Sequence, residues 1–221
     1  RTSASHERRC WMTPTNPLTM TFTSASARID RTVTVDSDYM FTVTDTLVNI
    51  GAAPITLTPS VRLHQLALTE HLKPPPQAHA GVIGTYDTTS NQMVSYSDVS
   101  KGKGVIKDVT AGWIALTTKY WMASAVPPQG EPVQMTANAT RANGQTTFNA
   151  GYASTPYTVQ PGQSASKVAY IFAGAKRVSV LDRYEKDQKI PAFTDAVDWS
   201  WLFFITKPFF FLLQLFQGWF G

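Results

Sequence analysis

The stretch YMFTVTDTLVN, residues 39–49, alternates apolar and polar side chains along nearly its whole length. Phe41, Val43 and Leu47 share one parity and Thr42, Thr44 and Thr46 the other. An extended chain therefore puts one face on a core and the other in water. Asp45 falls on the apolar parity, which means either a bulge or a paired carboxylate. Turn residues bracket the stretch: Asp36, Ser37 and Asp38 before it, Asn49, Ile50 and Gly51 after it. Working outward, ARIDRTVTV (27–35) alternates with Ile29, Val33 and Val35 on one side, and LTMTF (18–22) alternates again. The first fifty residues thus hold adjacent strands joined by short turns.

The same grammar continues downstream. Residues 55–68 read as one further extended stretch. The run KPPP (73–76) can be neither central strand nor helix. Residues 81–104 are dense in Gly, Ser, Asn and Asp and read as a long excursion with weak strand pieces around Val82 and Val94. Strand signals return at 104–109, 113–118, 121–126, 133–139 and 146–158. After a turn at Pro161 and Gly162 they return once more at 167–173. No repeat of fixed period is present. Roughly ten or more short strands at this spacing indicate a sandwich. The period changes at Lys176: Val178, Leu181 and Tyr184 with Glu185 recur at helical spacing, and Pro191 stops this short amphipathic helix. The chain divides into a ragged end (1–16), a β body (17–175), a helix with connector (176–197) and an aromatic tail (198–221).

Composition narrows the class. Of 221 residues, 15% are charged and 43% hydrophobic. With abundant Thr, Ser and Pro, that suits an extracytoplasmic β domain better than a helical cytosolic one. A net charge of +4 is too mild to suggest nucleic acid, and Lys101, Lys103 and Lys107 sit in a Gly-rich turn as solvated side chains. A single cysteine, Cys10, excludes an internal disulfide and a thiolate metal centre. Residues 1–11 are polar and basic, so the targeting segment of an extracytoplasmic protein is expected upstream of them.

The tail AVDWSWLFFITKPFFFLLQLFQGWFG (196–221) differs from everything before it, with seven Phe between Phe203 and Phe220. Pro208 suits a first helical turn. From there Lys207, Gln214, Gln217 and Gly218 share a thin polar stripe, and Phe209, Phe210, Leu212, Leu213, Leu215 and Phe216 make up the rest of the surface. A wide aromatic face with a thin polar stripe suits a membrane interface. Trp199, Trp201, Phe203, Phe204, Lys207, Phe209, Phe210, Leu213, Phe216 and Trp219 are the residues expected to meet it. Thr206, Lys207 and Pro208 interrupt the run, so lying in the interface is favoured over spanning, which needs about 20 apolar residues. Docking on the protein's own sheet is the other reading. Asp198 either caps the start of this helix or acts as a hinge between domain and membrane.

Catalysis would need a His and a carboxylate in one cleft. His64, Glu70, His71 and His79 are the candidates, at a spacing that fits no tight motif for acid–base work or for metal. Ser164 and Ser166 are turn residues. Trp113, Tyr120 and Trp121 are expected between the sheets, with a cleft that grips hydrophobic chains as the sharper reading.

Several segments resemble the large periplasmic domain of the YidC membrane protein insertases, in the form found in alphaproteobacteria. They are GWIALTTKYWMASAVPP (112–128), Tyr152 followed by VQPGQSA (159–165), IFAGAKRVSVLDRYEK (171–186) and IPAFTDAVDWSWLFFITKPFFFLL (190–213). Upstream, PLTMTF and IDRTVTVDSDYMFTVTDTLVN are similar to the family's strand pairs, so the resemblance covers residues 17–221. Ser200 stands where the family usually has Gly. The resemblance implies a mainly β fold, a galactose-mutarotase-like β-supersandwich with C-terminal α-helices, anchored at the inner membrane with this region in the periplasm. It implies no catalytic residue, no cofactor and no metal. Membrane lipid at the periplasmic face, nascent membrane proteins, SecYEG and SecDF are the partners it implies, with SecF contact expected in residues 182–221. The family's insertion groove, with its arginine, lies in transmembrane helices that this sequence does not contain, so insertion is assigned to none of its residues. A carbohydrate-binding or mutarotase-like sandwich is the alternative from another class.

Overall fold

A computed structural model of the chain describes residues 16–67 and 80–197, together with Pro208, Leu212, Leu213 and Phe216. In chain order the strands are β1 (Leu18–Thr23), β2 (Ala27–Val35), β3 (Met40–Asn49), β4 (Ile55–Leu57), β5 (Ser60–Leu66), β6 (Gly81–Tyr86) and β7 (Thr89–Ser95). There follow β8 (Val105–Val109), β9 (Gly112–Thr117), β10 (Trp121–Val126), β11 (Val133–Ala142), β12 (Gln145–Ser154), β13 (Tyr157–Val159) and β14 (Ser164–Ala175). A short helix α1 (Tyr96–Ser100) follows β7. Helix α2 (Val178–Asp187) and a 3-10 turn (Phe193–Ala196) follow β14.

Eight strands form one long antiparallel sheet in the order β1-β2-β3-β14-β10-β9-β6-β7. A second sheet, β5-β12-β11-β8, packs on one face of its β6–β9–β10 half, and β4 pairs with β13. The result is the β-sandwich body with C-terminal helices that the sequence leads one to expect. The core between the sheets is built from Val82, Ile114, Leu116, Ala125, Met135, Phe148 and their neighbours. The other face of the long sheet carries a second core, formed with α2 and the 3-10 turn.

β3 shows how alternation becomes register. Asp45 lies opposite Arg31 on β2 and Lys167 on β14. Arg31 donates to both of its carboxylate oxygens at 2.7 Å, a fork geometry that adds strength and direction. Asp45 is therefore paired in an unbroken ladder, and the bulge reading is set aside.

Four expectations are corrected. Ser164 and Ser166 are not turn residues, since both lie in β14 opposite Val48 and Thr46. Residues 81–104 are not an excursion: β6 is buried along all six residues and lies deep in the long sheet, between β9 and β7. Its glycines, which weaken the strand signal, are there for space. A Cβ on Gly84 would lie 2.8 Å from the Trp113 carbonyl and 2.7 Å from the Tyr86 ring. The stretch 55–68 is two strands in different sheets, split at Pro59, whose carbonyl accepts from Ser154 N at 2.8 Å. Finally, none of the three aromatics lies between the sheets: Trp113 is fully buried, but in the second core beneath the helical layer, and Tyr120 and Trp121 are about two-thirds exposed. Helix α1 has no counterpart in the sequence reading, because five residues are too few to show a period. Ser95 caps it by accepting from Asp98 N, and Tyr96 stacks on Phe148 at 4.3 Å.

Candidate functional site

The outer helical layer fixes the point from which the C-terminal stretch departs. Helix α2 turns Val180, Leu181 and Tyr184 onto the sheet. This is the amphipathic face expected from Leu181 and Tyr184, with Val180 rather than Val178 completing it. Lys189 and Ala192 adopt positive φ of 54° and 49°, and this doubles the chain back so that Ile190 and Phe193 are both buried. Phe193 meets Trp113 edge-on at 5.2 Å and Phe172 at 5.8 Å. The Trp113 indole Nε1 donates to the Pro191 carbonyl at 3.0 Å. Glu185 receives both the amide and the hydroxyl of Thr194, at 3.0 and 2.9 Å. One carboxylate thus joins α2 to the 3-10 turn.

A second set of polar contacts ties α2 to the turn between β2 and β3. The Tyr184 hydroxyl lies 2.8 and 2.7 Å from the two carboxylate oxygens of Asp36. One of those oxygens also accepts the amides of Asp38 and Met40. Arg183 pairs with Asp38. Burial, and then the adjacent Asp36 carboxylate, raise the Tyr184 hydroxyl above its ordinary value of 10.0. The native state therefore holds a proton that the unfolded chain releases above pH 10. This contribution is complete below pH 10 and declines as pH rises beyond it. Tyr184→Phe is expected to cost about 1.5–3 kcal/mol at neutral pH, the range for a hydrogen bond to a charged group. Its stability should also fall less steeply above pH 10 than that of the parent. Urea titrations at several pH values measure both, and equal alkaline slopes would remove the latch from the account.

Of the residues expected at a membrane interface, Leu213 and Phe216 are described, together with Leu212 and the residue expected in the first helical turn, Pro208. All four are helical and exposed. Leu213 is 65% and Phe216 43% exposed. Trp199, Trp201, Phe203, Phe204, Lys207, Phe209, Phe210 and Trp219 lie outside the described residues, as do Asp198, Cys10, Glu70, His71 and His79. Among the described residues no helix is long and apolar enough to cross a membrane.

His64 sits on the outward parity of β5, above a groove of about 510 Å3 on the four-stranded sheet. Its Nδ1 lies 2.7 Å from Asn149 Oδ1, and Asn149 donates onward to Asn138 at 2.8 Å. Arg62, Thr136 and Thr140 complete a polar wall that includes no carboxylate. The His–carboxylate pair that sugar chemistry needs is not assembled in this groove. A second groove, of about 250 Å3, is lined by Arg31, Asp45, Glu131 and Lys167. These charges pair off as Arg31 with Asp45 and Lys167 with Glu131 at 2.9 Å. Among the described residues no group of three His, Cys, Asp or Glu side chains is placed to hold a metal ion.

Sequence reasoning did not find Asp36, Glu185 or Pro191 as partners of the helical layer. The only hint was the acidic turn that precedes residues 39–49.

Comparison with known proteins gives these features a family. A model described as the YidC periplasmic domain matches residues 2–212. A relative named membrane protein insertase YidC, from Brucella suis biovar 1, is 36% identical over 206 residues, covering 92% of this chain and 33% of the relative. Another of the same name, from Sinorhizobium medicae, is 38% identical over 216 residues, covering 95% and 35%. The chain spans about a third of the length of the relatives it matches. A galactose mutarotase related enzyme from Lactobacillus acidophilus superposes over 71% of this chain and 67% of its own. Its TM-score is 0.44 at 7% identity, a distance at which nothing is inferred from it. With the family model matched from end to end of the β body and through the helical layer, the chain belongs to the YidC periplasmic domain family.

Proposed function

We propose that this chain is the non-catalytic periplasmic part of an inner-membrane protein insertase, and that its C-terminal residues 198–221 lie in the membrane interface. In this reading the β body is a rigid platform and residues 176–197 are the bracket that joins it to the interfacial helix. Asp198 and Pro208 mark where that helix begins. The insertase serves nascent membrane proteins, alone or beside SecYEG and SecDF, and lipid at the periplasmic face is the immediate contact of the tail.

The observation that carries the proposal is the contrast between two neighbouring segments. In the helical layer, Val180, Leu181, Ile190, Phe193 and Ala196 are buried in the second core. Beyond it, helical residues as large as Leu212, Leu213 and Phe216 present their side chains outward. A soluble surface seldom gathers such residues without a partner. In the groove beside β3 the carboxylates Asp45 and Glu131 are already engaged by Arg31 and Lys167.

Flotation on liposomes, with and without residues 198–221, tests it. Removing the tail should lower the floated fraction at least tenfold, in line with the loss of several apolar anchors. Equal flotation would show that the tail is not an interfacial helix.

A further inference from the structure

At one end of the long sheet, neighbouring strands finish on aromatic and basic side chains. The β9–β10 connection is a two-residue turn, Lys119 and Tyr120. Thr118 N donates to the Trp121 carbonyl at 2.8 Å, and the hydroxyls of Thr117 and Thr118 reach the same oxygen at 3.3 and 3.4 Å. The amide of Lys176 donates to the Tyr120 carbonyl at 2.8 Å. This tip is therefore braced from both sides, and it holds Tyr120 64% and Trp121 63% exposed. Across β14, at the start of β3, Tyr39 is 59% exposed. Its φ of 72° is one that bulky residues seldom adopt. Its carbonyl accepts from Ala173 N at 3.1 Å. Tyr39 and Trp121 lie two strands apart and are staggered by two residues, a separation of about 12 Å between backbones.

Cations share this rim. Lys119 Nζ lies 5.2 Å from the Tyr120 ring centroid. Lys176 and Arg177 follow β14 directly, and the Arg177 side chain is 69% exposed. Arg177 and Arg183 share a single acid, Asp38, so positive charge is in excess here. Tyr and Trp beside Lys are the side chains that settle at a water–lipid boundary, rings inward and polar ends at the headgroups. Excess positive charge there complements anionic lipid.

We infer that the rim formed by Tyr39, Tyr120, Trp121, Lys119, Lys176 and Arg177 is a second membrane contact, which rests on anionic headgroups. It deepens the reading of the domain as held at a bilayer, and rests on that reading. Two contacts, the tail and this rim, fix the tilt of the sheet against the membrane, which one contact cannot do.

The test uses the whole chain with Cys10→Ser and an environment-sensitive fluorophore on one introduced thiol, at Tyr120→Cys or at Phe216→Cys. Vesicles are phosphatidylcholine alone or with phosphatidylglycerol. The Tyr120 probe should shift to the blue with the anionic vesicles. Lys119→Ala with Lys176→Ala should weaken that response about tenfold or more, at roughly fivefold per charge. No shift at 120 with a shift at 216 overturns the rim and leaves the tail. No shift at either position overturns both. A shift at 120 that follows protein concentration without vesicles makes the rim an interface between copies and overturns the inference. Unchanged affinity of the double lysine variant for anionic vesicles overturns it as well.

Discussion

Trp113→Ala is expected to lower the stability of this domain by about 3–5 kcal/mol, the range for removing a large buried aromatic side chain. Trp113 has no exposed surface. It stands at the start of β9 and faces the helical layer, where it touches Phe193 and donates to the Pro191 carbonyl. Alanine would leave a cavity at the centre of the second core and remove the donor from that carbonyl. Both effects act on the bracket that leads to the tail. Urea unfolding followed by far-ultraviolet circular dichroism measures the loss, because near-ultraviolet and fluorescence signals would change with the missing indole. Hydrogen exchange should locate it: amides of α2 and the 3-10 turn should exchange faster relative to those of β11 and β12. Trp121→Ala is the natural comparison, since an exposed side chain away from the core contributes within about 0.5 kcal/mol. A loss below about 1 kcal/mol at Trp113 would mean that the helical layer is not anchored through it.

The contrast between those two tryptophans shows what a sequence can and cannot carry. Both stand in GWIALTTKYW, eight residues apart, in a segment with strong strand signals. Residue type favours burial for each. What separates them is position along the strand. Trp113 falls under Phe193, while Trp121 falls at the end of β10, beyond the cover of either the second sheet or α2. Cover is set by elements distant in sequence, and nothing local encodes it. The alternation of β2 and β3 was legible from side-chain type, although burial does not follow it: most side chains of both strands are half-buried. β6 was misread because both its faces are covered, so the period of two disappears, and because Gly81 and Gly84 dilute the apolar signal. Pro191 and the spacing of Leu181 and Tyr184 were enough to place α2. Its partners were not legible: Asp36 lies 148 residues from Tyr184. Asp45 was flagged as either paired or at a bulge, but a three-residue turn at 36–38 would have put Ile29 opposite it; the actual register, Val35 against Phe41, brings Arg31 there.

Combining Leu213→Glu with Phe216→Glu should abolish most of the membrane affinity that the tail supplies. The two side chains stand three residues apart in a helix and so share a face. Neither belongs to the two cores of the body, so the domain should unfold at a nearly unchanged urea concentration. Fully burying a side chain of this size contributes about 1.5–3 kcal/mol. Interfacial burial is partial, so losing two such anchors should cost about 2–4 kcal/mol, a fall of roughly thirtyfold to several hundredfold in partitioning. Two new carboxylates add repulsion from anionic headgroups, and repeating the measurement on uncharged vesicles separates that part. Salt distinguishes the tail from the rim around Trp121. Apolar partitioning persists at high ionic strength, whereas the lysine-dependent contact weakens as the Debye length shortens. Parent and variant should therefore differ most in concentrated salt, where the tail alone holds the domain to lipid. If the variant floats as well as the parent there, the apolar face of residues 208–216 is covered by the protein's own surface and the docked alternative replaces the interfacial one.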